Sequence, residues 1–266
     1  MAGRGRVAAF LLFLPVLAGG QEPFRELLPM EGYNAMTALP RDAHVPGELV
    51  IGRLMFPDGR RGWEQGGTNW TVDYPKGDRT LAALLRRFTR INVRSVEQPV
   101  NPDDGDDIYH WPFLFAGLVG NWRLTDDQVD ALREYLLRGG FLYADSFFGE
   151  SHWYGFEEGI RRIFPERPII ELPEDHPVFH IVYDVSEIRV TQMPHMNALP
   201  AGYLNGGRDP HWYGIEDDDG RLMVLVGFNN DTSDSWQWAD DPRYPAEAAN
   251  LGLRIGVNIA AYMMTH

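Results

Sequence analysis

TDDQVDALREYLLRGGFLYADSFFGE, residues 125–150, decides the fold. It reads as a helix, a glycine stop, a buried strand and a polar strand end. Thr125 with Gln128 three residues on has the spacing of a capping box. Asp126 and Asp127 fall in the first turn, where carboxylates oppose the positive end of the helix dipole. Val129, Leu132, Leu136 and Leu137 recur at helical spacing and predict the buried stripe. Gly139-Gly140 ends the helix, because glycine accepts the left-handed turn after a last helical residue. Phe141–Ala144 is a short apolar run, the pattern of a strand covered on both faces. Asp145-Ser146 then falls at the carboxyl end of that strand, the edge where open α/β sheets bind ligands.

Working outward, strand-like segments alternate with helical ones. Glu48–Phe56 and Asn92–Val96 read as strands, followed by Pro112–Leu118, Ile169–Leu172 and Arg221–Phe228. Helices are expected from Asp78 as cap to about Thr89, with Leu81, Leu84, Leu85 and Phe88 inward, then over Glu150–Phe164 and Ala246–Met264. Residues 57–78 and Asn229–Arg243 read as long polar, aromatic loops, and 186–220 as irregular. Strands separated by helices predict an α/β fold: a three-layer helix–sheet–helix sandwich with a mainly parallel sheet. All strand-end loops then share one edge.

The chain has 266 residues, 44% hydrophobic and 12% aromatic, enough for one large core. Residues 1–20 carry Arg4 and Arg6, an apolar run from Val7 to Leu17 interrupted by Pro15, and Ala18-Gly19-Gly20. This is the pattern of a secretory signal, too short to span a bilayer comfortably. The alternative is an uncleaved N-terminal anchor. Residues 21–46 read as an extended arm or linker, and 47–266 as the α/β domain. The mature protein is expected to be exported, periplasmic or extracellular, with no membrane span. Net charge is −14, and removing residues 1–20 makes the remainder more acidic. Phosphate-rich partners are disfavoured, so no nucleic acid is expected. The absence of cysteine removes disulfides, thiolate metal sites and cysteine nucleophiles. No cofactor is expected, and no linear spacing demands a metal.

Several stretches together carry a family likeness: Gly67–Tyr74 (GTNWTVDY), Leu132–Asp145 (LREYLLRGGFLYAD), Leu172–His180 (LPEDHPVFH), Asp219-Gly220-Arg221 and Leu253–Tyr262 (LRIGVNIAAY). Over residues 47–264 the chain resembles the bacterial family called domain of unknown function 4159. Where an Asp-Trp pair is common in that family, this chain has Asn69-Trp70. The resemblance implies a class I glutamine amidotransferase-like, flavodoxin-like sandwich, and it implies no established activity.

The candidate site is Asn69, Trp70, Gly117, Asp145, Ser146, His176 and Asp231, gathered from strand-end segments. Asp145 and Asp231 would accept hydrogen bonds, Trp70 would give a stacking wall, and Gly117 would allow close approach. Asp145 reads equally as a cap for the next helix. Asp175-His176-Pro177 reads equally as a turn with a hydrogen-bonded histidine. Ser146 lacks the Gly-x-Ser-x-Gly setting of a nucleophile elbow. His110, His152, His195 and His211, with Asp145, Glu150 and Asp231, could meet around a metal only in space. The expected function is a non-catalytic binding or interaction module for a polar, carbohydrate-like ligand or an envelope protein. The alternative is a hydrolase using a metal or a carboxylate–histidine pair.

Overall fold

The structure, a computed structural model, describes residues 23–266. The expected export signal, residues 1–20, lies outside the described residues. Seven strands form one sheet: β1 (Gly52–Leu54), β2 (Gln98–Val100), β3 (Phe113–Gly117), β4 (Phe141–Phe147), β5 (Ile170–Glu171), β6 (His211–Glu216) and β7 (Leu222–Phe228). Their order is β2-β1-β3-β4-β7-β6-β5. The first five neighbours are parallel; β6 runs antiparallel to both β7 and β5. The helices are α1 (Lys76–Phe88), α2 (Asp126–Leu137), α3 (Gly149–Ile163), α4 (Thr232–Gln237) and α5 (Ala246–Thr265). Among the described residues no helix is long and apolar enough to cross a membrane.

Period-two alternation along the central strands splits the core. Phe113, Phe115, Phe141 and Tyr143 pack with Leu81 and Leu85 of α1 and Leu251, Ile255 and Ile259 of α5. Leu114, Ala116, Leu142 and Ala144 pack with Leu132 and Leu136 of α2 and Phe156 and Ile160 of α3. Both faces of the centre are thus buried, as parallel strands require.

The segment at 125–150 folds as its residues dictate. The Gln128 amide donates to Thr125 Oγ1 at 3.2 Å, and the Thr125 amide donates to Gln128 Oε1 at 3.1 Å, closing the capping box. Gly139 has φ +106°, and a side chain at Gly140 would strike the ring of Tyr135. Tyr135, not the exposed Leu137, completes the buried stripe of α2. Its hydroxyl donates to the Trp111 carbonyl at 2.9 Å, so this turn of helix is pinned to the segment leading into β3.

Several boundaries differ from the sequence reading. The second strand lies at Gln98–Val100, not at Asn92–Val96, where Val93 makes a single bridge to Leu49. Pro99 is tolerated there because β2 is the sheet's edge strand. Phe88 is exposed. Asp78 does not cap α1; it lies in the first turn, where both its oxygens accept from Arg53 Nη2 at 2.8 and 2.7 Å. β6 and α4 arise within stretches expected to be irregular or loop. β6 repeats the inward–outward alternation, with Trp212 buried against Tyr143.

Arg53 and Asp78 are both sealed from solvent. Burial pushes the Asp78 carboxyl up even though Arg53 opposes the shift. Removing one member of such a pair leaves an uncompensated buried charge. Asp78→Ala is therefore expected to destabilise the fold by about 3–5 kcal/mol, read from the midpoint of urea unfolding.

Candidate functional site

At the carboxyl edge of the parallel strands the sheet is deliberately irregular. From Ala144 to Phe147 β4 advances three residues while β7 advances two, from Val226 to Phe228. The extra residue makes a bulge over Asp145-Ser146, a device that re-aims side chains. Ser146 takes φ +61° there, and Leu118 after β3, Asn229 after β7 and Asp73 after β1 also have positive φ. Four non-glycine residues in the left-handed region on one edge mark stored local strain, which concentrates at functional sites.

Asp145 points into the protein and is fully buried. Its Oδ2 accepts from the Thr232 and Ser233 amides at 2.7 and 3.1 Å, and its Oδ1 accepts from the Tyr143 hydroxyl at 3.1 Å. It therefore caps a helix, but α4 across the edge and not the helix that follows it in sequence. Burial first, and the Asp231 charge second, hold its carboxyl well above the usual range.

Asp231 is the N-cap of α4 and receives the Asp234 amide at 3.1 Å. The Ser146 hydroxyl lies 2.9 Å from Asp231 Oδ1 and 2.7 Å from Ser233 Oγ. Ser233 in turn donates to Asp73 Oδ2 at 2.5 Å. On the far side, His195 Nδ1 lies 2.8 Å from Asp231 and 3.1 Å from Asp234. Asp73, Asp145, Asp231 and Asp234 are all buried, and His195, with its side chain 20% exposed, is the member that meets solvent.

Burial opposes charge on His195, but hydrogen bonds to Asp231 and Asp234 outweigh it and lift the imidazole to about 10. Asp234 is pushed up to about 6 by burial and by Asp231. Asp73 is pushed well above the usual range by burial, then by Asp234 and Asp231. A ligand atom from each of His195, Asp231 and Asp234 lies within 4.8 Å of the others, close enough to surround one metal ion. The nitrogen–oxygen set suits zinc or manganese.

Of the residues expected at the site, Asp145, Ser146 and Asp231 meet, and Gly117 joins them. Gly117 pairs with Asp145 across β3–β4, and a side chain there would press on Val72 and approach the Ser146 hydroxyl. Asn69 stands on the neighbouring loop with its side chain held by Arg60 at 3.0 Å. Trp70 offers no stacking wall. It is fully buried, and its indole donates to the Trp63 carbonyl at 2.7 Å. His176 is not brought to the site: it packs on Tyr262, which also touches Phe141 and Leu222 at the opposite ends of β4 and β7. Its Nδ1 accepts the Val178 amide, so it serves the turn. Asp73, His195, Ser233 and Asp234 were not among the expected set. The spacing Asp231–Asp234 is itself a cap signal for α4; nothing local in sequence marks His195 or Asp73.

The chain matches the family described as Domain of unknown function (DUF4159) over residues 62–264 and belongs to it. No curated protein matches the chain.

The His195 charge has a pH signature. Its folded value lies above the ordinary 6.5, so its contribution to stability is complete below 6.5 and is lost as pH rises through about 10. Histidine NMR should show this ring as imidazolium throughout pH 5–8. Asp234→Asn should lower its titration midpoint by about one unit or more, the effect of one neighbouring charge.

Proposed function

We propose that this is an exported, non-catalytic binding module with an amidotransferase-like three-layer sandwich, taking a polar, hydroxyl-rich ligand at the carboxyl edge of its parallel strands. The fold reading is supported by five adjacent parallel strands, helices packed in two separate cores, and a left-handed residue, Ser146, in the bulge at the carboxyl end of β4. The export reading rests on the sequence of residues 1–20.

One observation carries the binding reading. Ser146 sits in the bulge at the carboxyl end of a central strand, yet its hydroxyl faces the Asp231 carboxylate, and the imidazole lies beyond that carboxylate. A serine nucleophile needs a base to take its proton, and a histidine base must be neutral. His195, held at about 10, is charged at neutral pH. His195 is the member of the cluster that meets solvent, and its imidazole, held by the buried carboxylates behind it, is placed to donate to a hydroxyl of a polyhydroxylated ligand. With Trp70 buried, recognition rests on these polar groups and not on stacking. The acidic surface argues against nucleic acid as the partner.

The second reading is a metal-dependent hydrolase. The clustering of His195, Asp231 and Asp234 favours it, since a cation binding there would displace the imidazole proton and polarise a water. Two measurements separate the readings. Calorimetric titration with neutral oligosaccharides and polyols should give saturable binding, weakened about tenfold by His195→Gln, equivalent to one charge-assisted hydrogen bond. An absence of saturable binding to the whole panel removes the proposed ligand class. Elemental analysis finding stoichiometric zinc or manganese, lost in His195→Ala, would transfer the site to the hydrolase.

A further inference from the structure

A segment outside the strand ends reaches the same cluster. The arm before β1 crosses the site from the 63–71 turns to α4. Leu28 bridges to Gly66, its amide donating to the Gln65 carbonyl at 3.0 Å and its carbonyl accepting from the Gly67 amide at 2.6 Å. The Leu27 amide donates to the Tyr74 hydroxyl at 3.1 Å. Farther along, Tyr33 packs on Trp238 with ring centroids 5.2 Å apart, and Asn34, fully buried, accepts from Gln237 Nε2 at 3.0 Å. Between these anchors Glu31 turns inward. Its Oε2 accepts from the Asp73 amide at 3.2 Å and from Asn34 Nδ2 at 3.3 Å. Asp73 connects through Ser233 to Ser146, so the arm's carboxyl stands next to the strand-end site.

We infer that residues 26–38 form a proton-operated strap over the site, with Glu31 as its latch. The latch is set by the protein's own groups and needs no ligand in the strand-end site, so this goes beyond the binding proposal and its test does not rest on it.

The geometry sets a carboxyl of the strap among other carboxyls. Glu31 stands against Asp73 on the turn before α1, from whose amide it accepts, and the charges of Asp231 and Asp234 at the start of α4 reach it, as it reaches Tyr33 on its own segment. Of the nearby cations, His195 is already shared by Asp231 and Asp234, and Arg53 is committed to Asp78 and the Val72 carbonyl. Released into water, Glu31 would ionise as an ordinary glutamate; in place, burial first and then the charges of Asp234 and Asp231 lift it to about 7. The sign follows from linkage. The closed strap holds a proton that the open strap loses, so closure is favoured fully below the ordinary value of 4.5 and weakens as pH rises from there to about 7. Above that window the preference levels off. The anchors at Leu28, Tyr33 and Asn34 carry no titrating group in this range and hold the strap in register while the latch changes. At its two ends Arg79 holds Glu26 and the Thr37 carbonyl. Arg79 also pairs with Glu97, itself lifted to about 7 by burial, so the Glu31→Gln variant is what separates the latch from that pair.

Hydrogen exchange of the full-length protein, corrected for intrinsic rates and followed between pH 4.5 and 7.5, tests this. Protection of residues 26–38 should fall about tenfold or more across the window, one pKa unit corresponding to a tenfold change in the closing equilibrium. The amides of β4 and α5 serve as the internal reference and should hold constant. Glu31→Gln, the neutral isostere of the latched form, should keep the strap protected at every pH. Glu31→Ala should leave it weakly protected at every pH. The proposal is overturned if wild-type protection of the strap is flat over this range, or if Glu31→Gln retains the wild-type pH dependence.

Discussion

The Asp145 carboxylate bonded to the first two amides of α4 is the constraint from which the strand-end architecture follows. It ties the tip of β4 to the segment leaving β7 across a gap of 87 residues in sequence. To aim inward at those amides, Asp145 must sit where the β4–β7 register slips by one residue. The slip turns Ser146 into the left-handed region and presents its hydroxyl to Asp231. Local backbone strain, helix capping and the position of the serine are thus one structural event. Two main-chain donors and the Tyr143 hydroxyl compensate the buried carboxylate, as burial of such a group requires.

That solution accumulates negative charge. Asp73, Asp145, Asp231 and Asp234 share one buried region, with a single imidazole to answer them. In a medium of low polarity like charges at this separation do not all ionise. The raised carboxyls of Asp73, Asp145 and Asp234 and the raised imidazole of His195 are two faces of the same balance: protons are retained where cations are missing. Hydrogen bonds to Ser146, Ser233 and Thr232 spread the remaining charge. A fully bonded polar network of this kind fixes the side chains that form it.

How much of this was legible in sequence depends on the range of the determining interaction. The Thr125–Gln128 box, the Gly139-Gly140 stop and the β4 run are local, and local rules recover them. Asn258 and Arg221 serve the fold: Asn258 bonds the Tyr183 and Val178 main chain, and Arg221 pairs with Asp217. β6 was hidden because Gly and Pro punctuate the residues before it, while its own HWYGIE alternates correctly. α4 was hidden because five polar residues and a single tryptophan carry no apolar period; packing of Trp236 and the bond from Asp145 stabilise it instead. Asp145, Ser146 and Asp231 were reachable because each stands directly at a strand end. His195 could be named only as one of four scattered histidines able to meet Asp231 in space, since it arrives from a long irregular segment before an antiparallel strand. Trp70 shows the opposite error: an aromatic in a polar loop was read as a ligand wall, when a 22-residue loop needs just such a side chain to hold it to the core.

The distribution of charge also decides between ways of using the site. An imidazole wedged between Asp231 and Asp234 is stabilised most in its charged form, and a proton on Nδ1 cannot coexist with a metal on the same nitrogen. A cation would have to replace that proton, and in doing so it would draw the neighbouring carboxyls toward ionisation, Glu31 included. The arm would then be held next to carboxylates neutralised by metal and would no longer need its own proton to stay closed. Metal, imidazole proton and latch proton are therefore alternative answers to one excess of buried negative charge, and occupation by any of them changes the demand for the others.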